Sequence, residues 1–564
     1  MHVIRRFRVP AIFCALSVLF CELIGHPFAA MGICDDGPYI LIAQHLAATG
    51  HVAYNGWPAA MLGWQLYLAA AFIKLFGFSF TAVRMSTLLA ATALAFLLQR
   101  TLVAAGISER NATLATVALV LSPLYLLLSV TFMSDIFGLF AIVVCLYGCL
   151  RALQASTDRA AIAWICFAVG TNALCGTARQ LAWLGVLAML PSTIWLLRSR
   201  YRVLFAGAAA TLAGAVFIFA CLHWLSFQPY IQPEHLLPAS FPIAPTFTSV
   251  VQIFVELPFL VLPVIALFLP QVFKNDRRSA IAVALVSIAY IGLGIQRGYI
   301  PLLEPAIGDW VTPFGMVYET GLSGEPPVLL HTAFRVFLTI ASLGGFLGLA
   351  LSFLQRRPNP APATHSNISL RQLAVLLGPF TLVYTLFLIP RAASTGISDR
   401  YVLGLAVAFL ILLVRYYQDR FQEQLPLATA LLVGIMAIFG VIATYNTFSF
   451  YRARVALAAE LRAAGIPDTS TDNGWEYNLD VELQHSDHIN FPTIVVPPRA
   501  YVPVPPPSGP CTMFFYDYTP DIHALYGVSF DPNACYGPAP FAPVHYARWL
   551  TATPGTLYVV KYTK

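Results

Sequence analysis

Residues 34–50 read CDDGPYILIAQHLAATG, and the fold turns on how this stretch is read. Two adjacent aspartates follow an apolar run, and a stretch with helical spacing follows them. Pro38 is tolerated in a first helical turn, an Asp before it can cap that helix, and Gly50 can end it. Tyr39, Ile40, Ala43 and Leu46 with Ala47 recur on one face, which predicts a short amphipathic helix lying in a membrane interface. Capping accounts for one carboxylate, and Asp36 is as well explained by that task as by chemistry. Asp35 is left without a structural task.

The surroundings are built for lipid. Of the 564 residues, 58% are hydrophobic and only 10% charged, and the mean hydropathy is +0.73. Soluble domains carry roughly 25% charged residues, so the chain belongs in a membrane. The net charge of +6 does not indicate nucleic-acid binding, because the cations fall in short clusters between apolar runs. The first thirty residues, with Arg5, Arg6 and Arg8 before an apolar stretch, read as an uncleaved first helix because many further spans follow.

Apolar runs at 10–30, 82–105, 111–131, 136–153, 160–177, 180–197, 203–225, 250–273, 279–296, 331–354, 372–390, 402–417 and 425–445 predict about thirteen transmembrane helices. The stretch 61–78 is apolar but holds Lys74, and counting it would invert everything after it. Arg and Lys at 5–8, 100, 110, 151–159, 198–202, 274–278, 356–371 and 415–420 then share one side. Up to residue 445 the opposite helix ends hold only Lys74, Arg84, Arg179, Arg297, Arg335, Arg391 and Arg400. That bias places the N-terminus in the cytoplasm and lays 61–78 along the outer surface.

On this topology the chain divides into a membrane part, 1–445, with a first outer loop at 31–81, and an extracytoplasmic region, 446–564. The latter contains PPRAYVPVPPPSGP and the β-prone TMFFYDY and TLYVVKY, and is expected to be a small α+β or mostly β domain. Cys511 and Cys535 lie in this polar region and are expected to form a disulfide there. The remaining cysteines lack metal-ligand spacing. Residues 356–367, RRPNPAPATHSN, read as a flexible cytoplasmic linker. No internal repeat is evident, which weighs against transporters made of inverted halves.

A further outward acid lies in FMSDIF, where Asp135 sits between two apolar runs; a helix cap alone would explain it. Two such acids at neighbouring helix ends can nevertheless meet in one cavity. Arg179 is flanked by apolar residues, so a phosphate or an acid partner is a better account of it than solvation. In ISDRYVLG, Arg400 opens a helix at the depth of a lipid phosphate. Glu22 and Glu256 lie inside apolar runs and receive no role.

The acidic pair with Tyr39, the interfacial helix, an apolar helix closing with LFGFSFTAVR, FMSDIF and the late Arg400–Tyr401 together resemble the GT-C superfamily. These are polyprenyl-phosphate-sugar-dependent glycosyltransferases, and the branch most resembled holds aminoarabinose transferases and protein O-mannosyltransferases. The resemblance is best over the first 140 residues and poor in the C-terminal region, although 465–478, GIPDTSTDNGWEYN, is similar to a segment of some bacterial members. One departure is GWPAAMLGW, at 56–64, where family members often carry a basic-Pro-Pro element; this leaves the acceptor open.

The resemblance implies transfer of a sugar from a polyprenyl-phosphate carrier to the hydroxyl of a glycan, lipid or protein. Asp35 would be the general base, with Asp36 or Asp135 orienting the acceptor or binding a divalent metal if one is used. Arg400 with Tyr401, and Arg179 or Arg335, would hold the donor phosphate, and Tyr39 would line the acceptor side. The rival readings are a carrier-lipid flippase, a surface-polysaccharide polymerase or ligase, and a noncatalytic scaffold. The glycosylation sequons at Asn111 and Asn367 fall on the cytoplasmic side, so the expected compartment is a bacterial inner membrane.

Overall fold

The computed structural model describes residues 8–233, 240–274, 277–296, 310–316, 321–354, 368–394, 397–421, 424–511, 513–551 and 553–563. Arg5, Arg6, Arg297, Arg356, Arg357, Asn367 and the 356–367 linker lie outside them. Among the described residues nine helices are long and apolar enough to cross a membrane, or ten if a bent pair counts as one span. Four shorter apolar helices, Val9–Gly25, Gly63–Phe76, Gln180–Leu196 and Ala280–Gln296, fall below that length. The chain is an integral membrane protein.

Its surface is inverted relative to a soluble protein. The Tyr201–Ser226 helix exposes Phe205, Leu212, Val216 and Phe219, and the Val9–Gly25 helix exposes Ile12, Phe13, Leu16 and Phe20. Such faces are stable only against lipid tails.

Polar caps set where the helices begin. The hydroxyls of Ser79, Ser108, Ser122 and Thr157 accept hydrogen bonds from the backbone N–H of Ala82, Asn111, Tyr125 and Ala160. Each satisfies an N–H that a helix start leaves without a carbonyl. Ser122 and Pro123 break the span begun by Glu109–Val120, and Pro123–Ser129 leaves it at 70°. The bend carries Phe132 to Asp135 against the loop that holds the carboxylate doublet.

The doublet opens the helix Asp36–Thr49 as expected, and Gly50 closes it with φ 79° and its N–H on the Leu46 carbonyl. Side-chain capping fails, however: neither Asp35 at the N-cap nor any other group caps this helix through its side chain. Gly63–Phe76 forms a separate helix of 14 residues, shorter than the roughly 20 needed to span. It is fastened to the site end of the bundle, with Trp64 Nε1 donating to the Cys175 carbonyl and Gln65 Nε2 to that of Phe132.

The C-terminal region is carried on one continuous helix, Leu427–Ala463, of 37 residues. At 1.5 Å per residue it is about 55 Å long, well beyond the ~30 Å of a hydrocarbon core. The 445/446 boundary drawn from composition lies inside it, because polarity changes there while nothing breaks the backbone ladder. Beyond it, four strands run in the order Thr471–Asp472, Tyr526–Ser529, Gly555–Lys561, Val544–Tyr546, the first pair parallel and the others antiparallel. TLYVVKY supplies the long strand. The described residues of TMFFYDY, 513–518, do not form one: Phe515 has φ 55°, a 3₁₀ turn follows at Tyr516–Tyr518, and the Phe515 and Tyr518 rings stack with centres 4.7 Å apart. A disulfide joins Cys511 and Cys535, whose Cα atoms are 5.1 Å apart.

Candidate active site

The two aspartates of the doublet have opposite environments. Asp36 is fully buried. Its carboxylate forms a two-pronged ion pair with Arg84, Oδ2 to Nε at 2.8 Å and Oδ1 to Nη2 at 2.9 Å, with both side chains 0% exposed. The backbone N–H groups of Ile33 and Phe132 donate to the same two oxygens. Arg84 in turn donates to the carbonyls of Ala29 and Met31. Both carboxylate oxygens of Asp36 are thus committed to tying its loop to the Phe80–Ala104 helix and to the turn before Asp135.

Asp35, one residue earlier, faces the open side. Its Oδ2 receives Arg400 Nη2 at 3.1 Å and its Oδ1 receives Trp57 Nε1 at 3.1 Å. Arg400 also reaches Asp135, with Nη1 3.6 Å from Oδ2, and Asp135 Oδ1 takes a 2.6 Å bond from Arg179. The chain Asp35–Arg400–Asp135–Arg179 therefore joins residues that are hundreds of positions apart. Asp35 is 17% exposed and Arg400 11% exposed, so both remain reachable.

Tyr401 lies under these cations. The guanidinium carbons of Arg179, Arg400 and Arg391 are 5.1, 5.1 and 5.4 Å from its ring centre, and Arg391 donates to its hydroxyl. A ring face attracts cations electrostatically, which lets three guanidinium groups gather in one place. Arg179 sits close because Gly138 leaves room: a Cβ there would stand 2.9 Å from the arginine's own Cβ. A small cavity opens between Asp135, Arg179, Tyr384 and Arg400. Tyr39 borders the same group. Burial and the nearby Asp35 carboxylate push its phenol well above the ordinary value, with Arg400 acting in the opposite sense.

Of the expected site residues, Asp35, Asp135, Arg179, Arg400, Tyr401 and Tyr39 meet here. Asp36 adjoins them but is closed. Arg335 is buried in the first turn of Thr332–Leu354 and is not among the described cations on Tyr401. Trp57 and Arg391 join the site without having been singled out for it; their signal in the sequence is only an aromatic beside a glycine and one arginine at a helix end. The guanidinium of Arg400 occupies the place between Asp35 and Asp135 where a divalent cation would bind, so these residues do not fit a metal. Among the described residues no group of three or more His, Cys, Asp or Glu is arranged to hold one.

The stretch 465–478 is structural. Glu476 is buried against Arg454, with Nη2 to Oε2 at 3.0 Å, and accepts from the Tyr451 hydroxyl. Asp472 receives Asn478 and Tyr562. This network seats the helix Trp475–Ser486, whose Asp480 accepts the Gly32 N–H at 3.1 Å. Gly37 leaves room for this carboxylate, because a Cβ there would overlap Asp480 Oδ1 and push it aside.

Burial raises the Asp480 carboxyl from 3.8 to about 7; Asp36 and Glu476 add to the rise, while the Gly32 N–H and Arg84 oppose it. The fold therefore favours the neutral acid. Its contribution to stability is full below about pH 4 and is lost as pH rises towards 7, where the unfolded chain ionises freely. Asp480→Asn is expected to flatten the pH dependence of thermal unfolding between pH 4 and 7 and to raise Tm at pH 8. Glu482, also raised to about 7 by burial, retains a share of the slope. Unfolding curves of the purified protein across that range check this.

No family model matches the sequence, and a search of curated proteins finds no match. Among solved structures the chain is similar to crystal structures of ArnT from Cupriavidus metallidurans. The apo state gives 17% identity and the form bound to undecaprenyl phosphate 15%, each with a TM-score of 0.41 over 83% of this chain and 84% of that one. It is also similar to the protein O-mannosyltransferase Pmt1-Pmt2 complex of S. cerevisiae bound to the sugar donor. There the identity is 15% and the TM-score 0.32, over 42% of this chain and 36% of that one.

Proposed function

We propose that this protein is a GT-C-type glycosyltransferase that moves a sugar from a polyprenyl-phosphate carrier to an acceptor hydroxyl on the extracytoplasmic face of a bacterial inner membrane. The observation that carries the reading is Arg400 bridging Asp35 and Asp135, with Arg179 and Arg391 gathered on the same tyrosine ring. A carboxylate suited to act as a base and a group of cations suited to a phosphate are thus joined through Arg400.

An alcohol is a poor nucleophile until its proton has somewhere to go. Asp35 takes that proton as the acceptor oxygen bonds to the anomeric carbon. The bond from that carbon to the phosphate oxygen breaks, and its electron pair leaves with the lipid phosphate. Charge grows on the phosphate, where the planar donors of Arg400 and Arg179 stabilise it. Attack opposite the leaving group inverts the anomeric centre. Asp135 orients Arg400 and Arg179 towards the donor, and Tyr39 borders the acceptor side. On this reading the N-terminus is cytoplasmic and the C-terminal region lies outside.

Arg400→Ala is expected to weaken donor binding by about 10–100-fold, the worth of a charge-assisted hydrogen bond to phosphate. Binding of a short-chain prenyl phosphate to the full-length protein in nanodiscs measures it, and unchanged affinity would remove Arg400 from the donor site. Mass spectrometry of carrier lipids and envelope glycans with and without the protein tests transfer itself. Movement of the carrier lipid across the membrane without sugar transfer would support a flippase instead.

A further inference from the structure

We propose that Trp57 is a positioning residue for Asp35, and that the C-terminal region takes part in the reaction by holding Trp57 in place. This rests on the assignment of Asp35 as the base. A carboxylate on a single-bonded side chain rotates unless both oxygens are held. Here Oδ2 is held by Arg400, a group that the donor phosphate competes for. Trp57 Nε1, at 3.1 Å from Oδ1, is the hold that survives donor binding.

Trp57 itself is fixed from the far end of the chain. Its ring centre is 5.5 Å from Trp475, 6.1 Å from Phe491, and 6.2 Å from Phe515 and from Tyr518. Trp475 lies near-parallel to it at 31°, while the other three rings approach at steep angles. Edge-to-face and offset contacts of this kind restrict both tilt and rotation. The backbone is pinned as well: Ile489 N–H donates to the Asn55 carbonyl, and Asn55 Nδ2 donates to that of Pro38. Gly56, at φ 95°, has room for no Cβ, which would stand 2.7 Å from the Ile489 carbonyl oxygen. On the other flank Asp480 holds Gly32. The turn that carries Asp35 is thus clamped between two points of the C-terminal region.

Misplacing a reacting group by about 1 Å can cost around a hundredfold in rate. Trp57→Phe removes the N–H donor together with the five-membered half of the indole and leaves one aromatic ring in its place. In full-length protein, turnover is read as release of prenyl phosphate from a panel of prenyl-phosphate-linked hexoses and pentoses, with an envelope glycolipid extract as acceptor. The variant is expected to lower kcat by about 10–100-fold while prenyl phosphate affinity stays unchanged. Combined with Asp35→Asn, it should add no further loss, because the group it positions is gone. Tyr518→Ala, which touches the Trp57 ring and not Asp35, should lower kcat in the same way and serves if W57F folds poorly; Tyr518→Phe should restore it.

A wild-type kcat in W57F, or a loss that multiplies with that of D35N, would overturn the proposal. Full activity of D35N would overturn both this proposal and the base assignment. An inactive D35N beside a fully active W57F would overturn this proposal alone.

Discussion

Asp35→Asn should leave the protein folded and inserted in the membrane while sugar transfer falls by about 10²–10⁴-fold, the range for loss of a general base. The structure explains why folding should survive. Asp35 is partly open, and an asparagine keeps an oxygen for the Trp57 N–H at Oδ1. What is lost is a carboxylate that can accept the acceptor's proton. Arg400 keeps Asp135 as a neighbour, so it is not stranded, and prenyl phosphate affinity should stay within a fewfold of wild type. Turnover and prenyl phosphate binding measured on one preparation separate the two effects. Full turnover in the variant would take Asp35 out of the chemistry.

Asp36→Ala should do the reverse. It removes the only carboxylate that the described contacts give the fully buried Arg84 guanidinium, and leaves the Ile33 and Phe132 N–H groups without their acceptor. Breaking a buried ion pair from one side typically costs about 3–5 kcal/mol, because a desolvated charge is left behind. That is a large fraction of the stability of any domain. The expected result is a sharp fall in folded yield and Tm, measured by detergent-solubilised thermal unfolding. Replacing both partners should be milder than replacing one, so Arg84→Met in the D36A background should recover part of the yield. If D36A folds like the wild type, the pair is not what fastens the outer loop.

Two adjacent, chemically identical residues therefore sit in opposite environments, and nothing in DDGPY separates them. Reading outward from the doublet does recover the helix after it, its glycine terminus and neighbouring apolar spans, because each depends on local spacing. It also marks Asp135, Arg179, Arg400 and Tyr401, since charges at the ends of apolar runs stand out against a lipid-like background. It offers capping for Asp36 as readily as chemistry because capping is a local account, whereas the actual partner, Arg84, lies 48 residues away. It makes TMFFYDY a strand because β-propensity is high there, whereas the rings turn inward on Trp57 and Trp475 and the backbone turns with them.

Membrane residence, the helical architecture and the short list of charged residues at the ends of apolar runs follow from the sequence by itself, because hydropathy and short-range periodicity act through neighbours along the chain. Which of those charges meet was decided only in three dimensions. The Asp35–Arg400 pair closes over 365 positions, and the ring that holds Trp57 is assembled from the opposite end of the protein. Contacts at such separations depend on how the helices pack and where the long final helix delivers the C-terminal region. Local composition carries no trace of either.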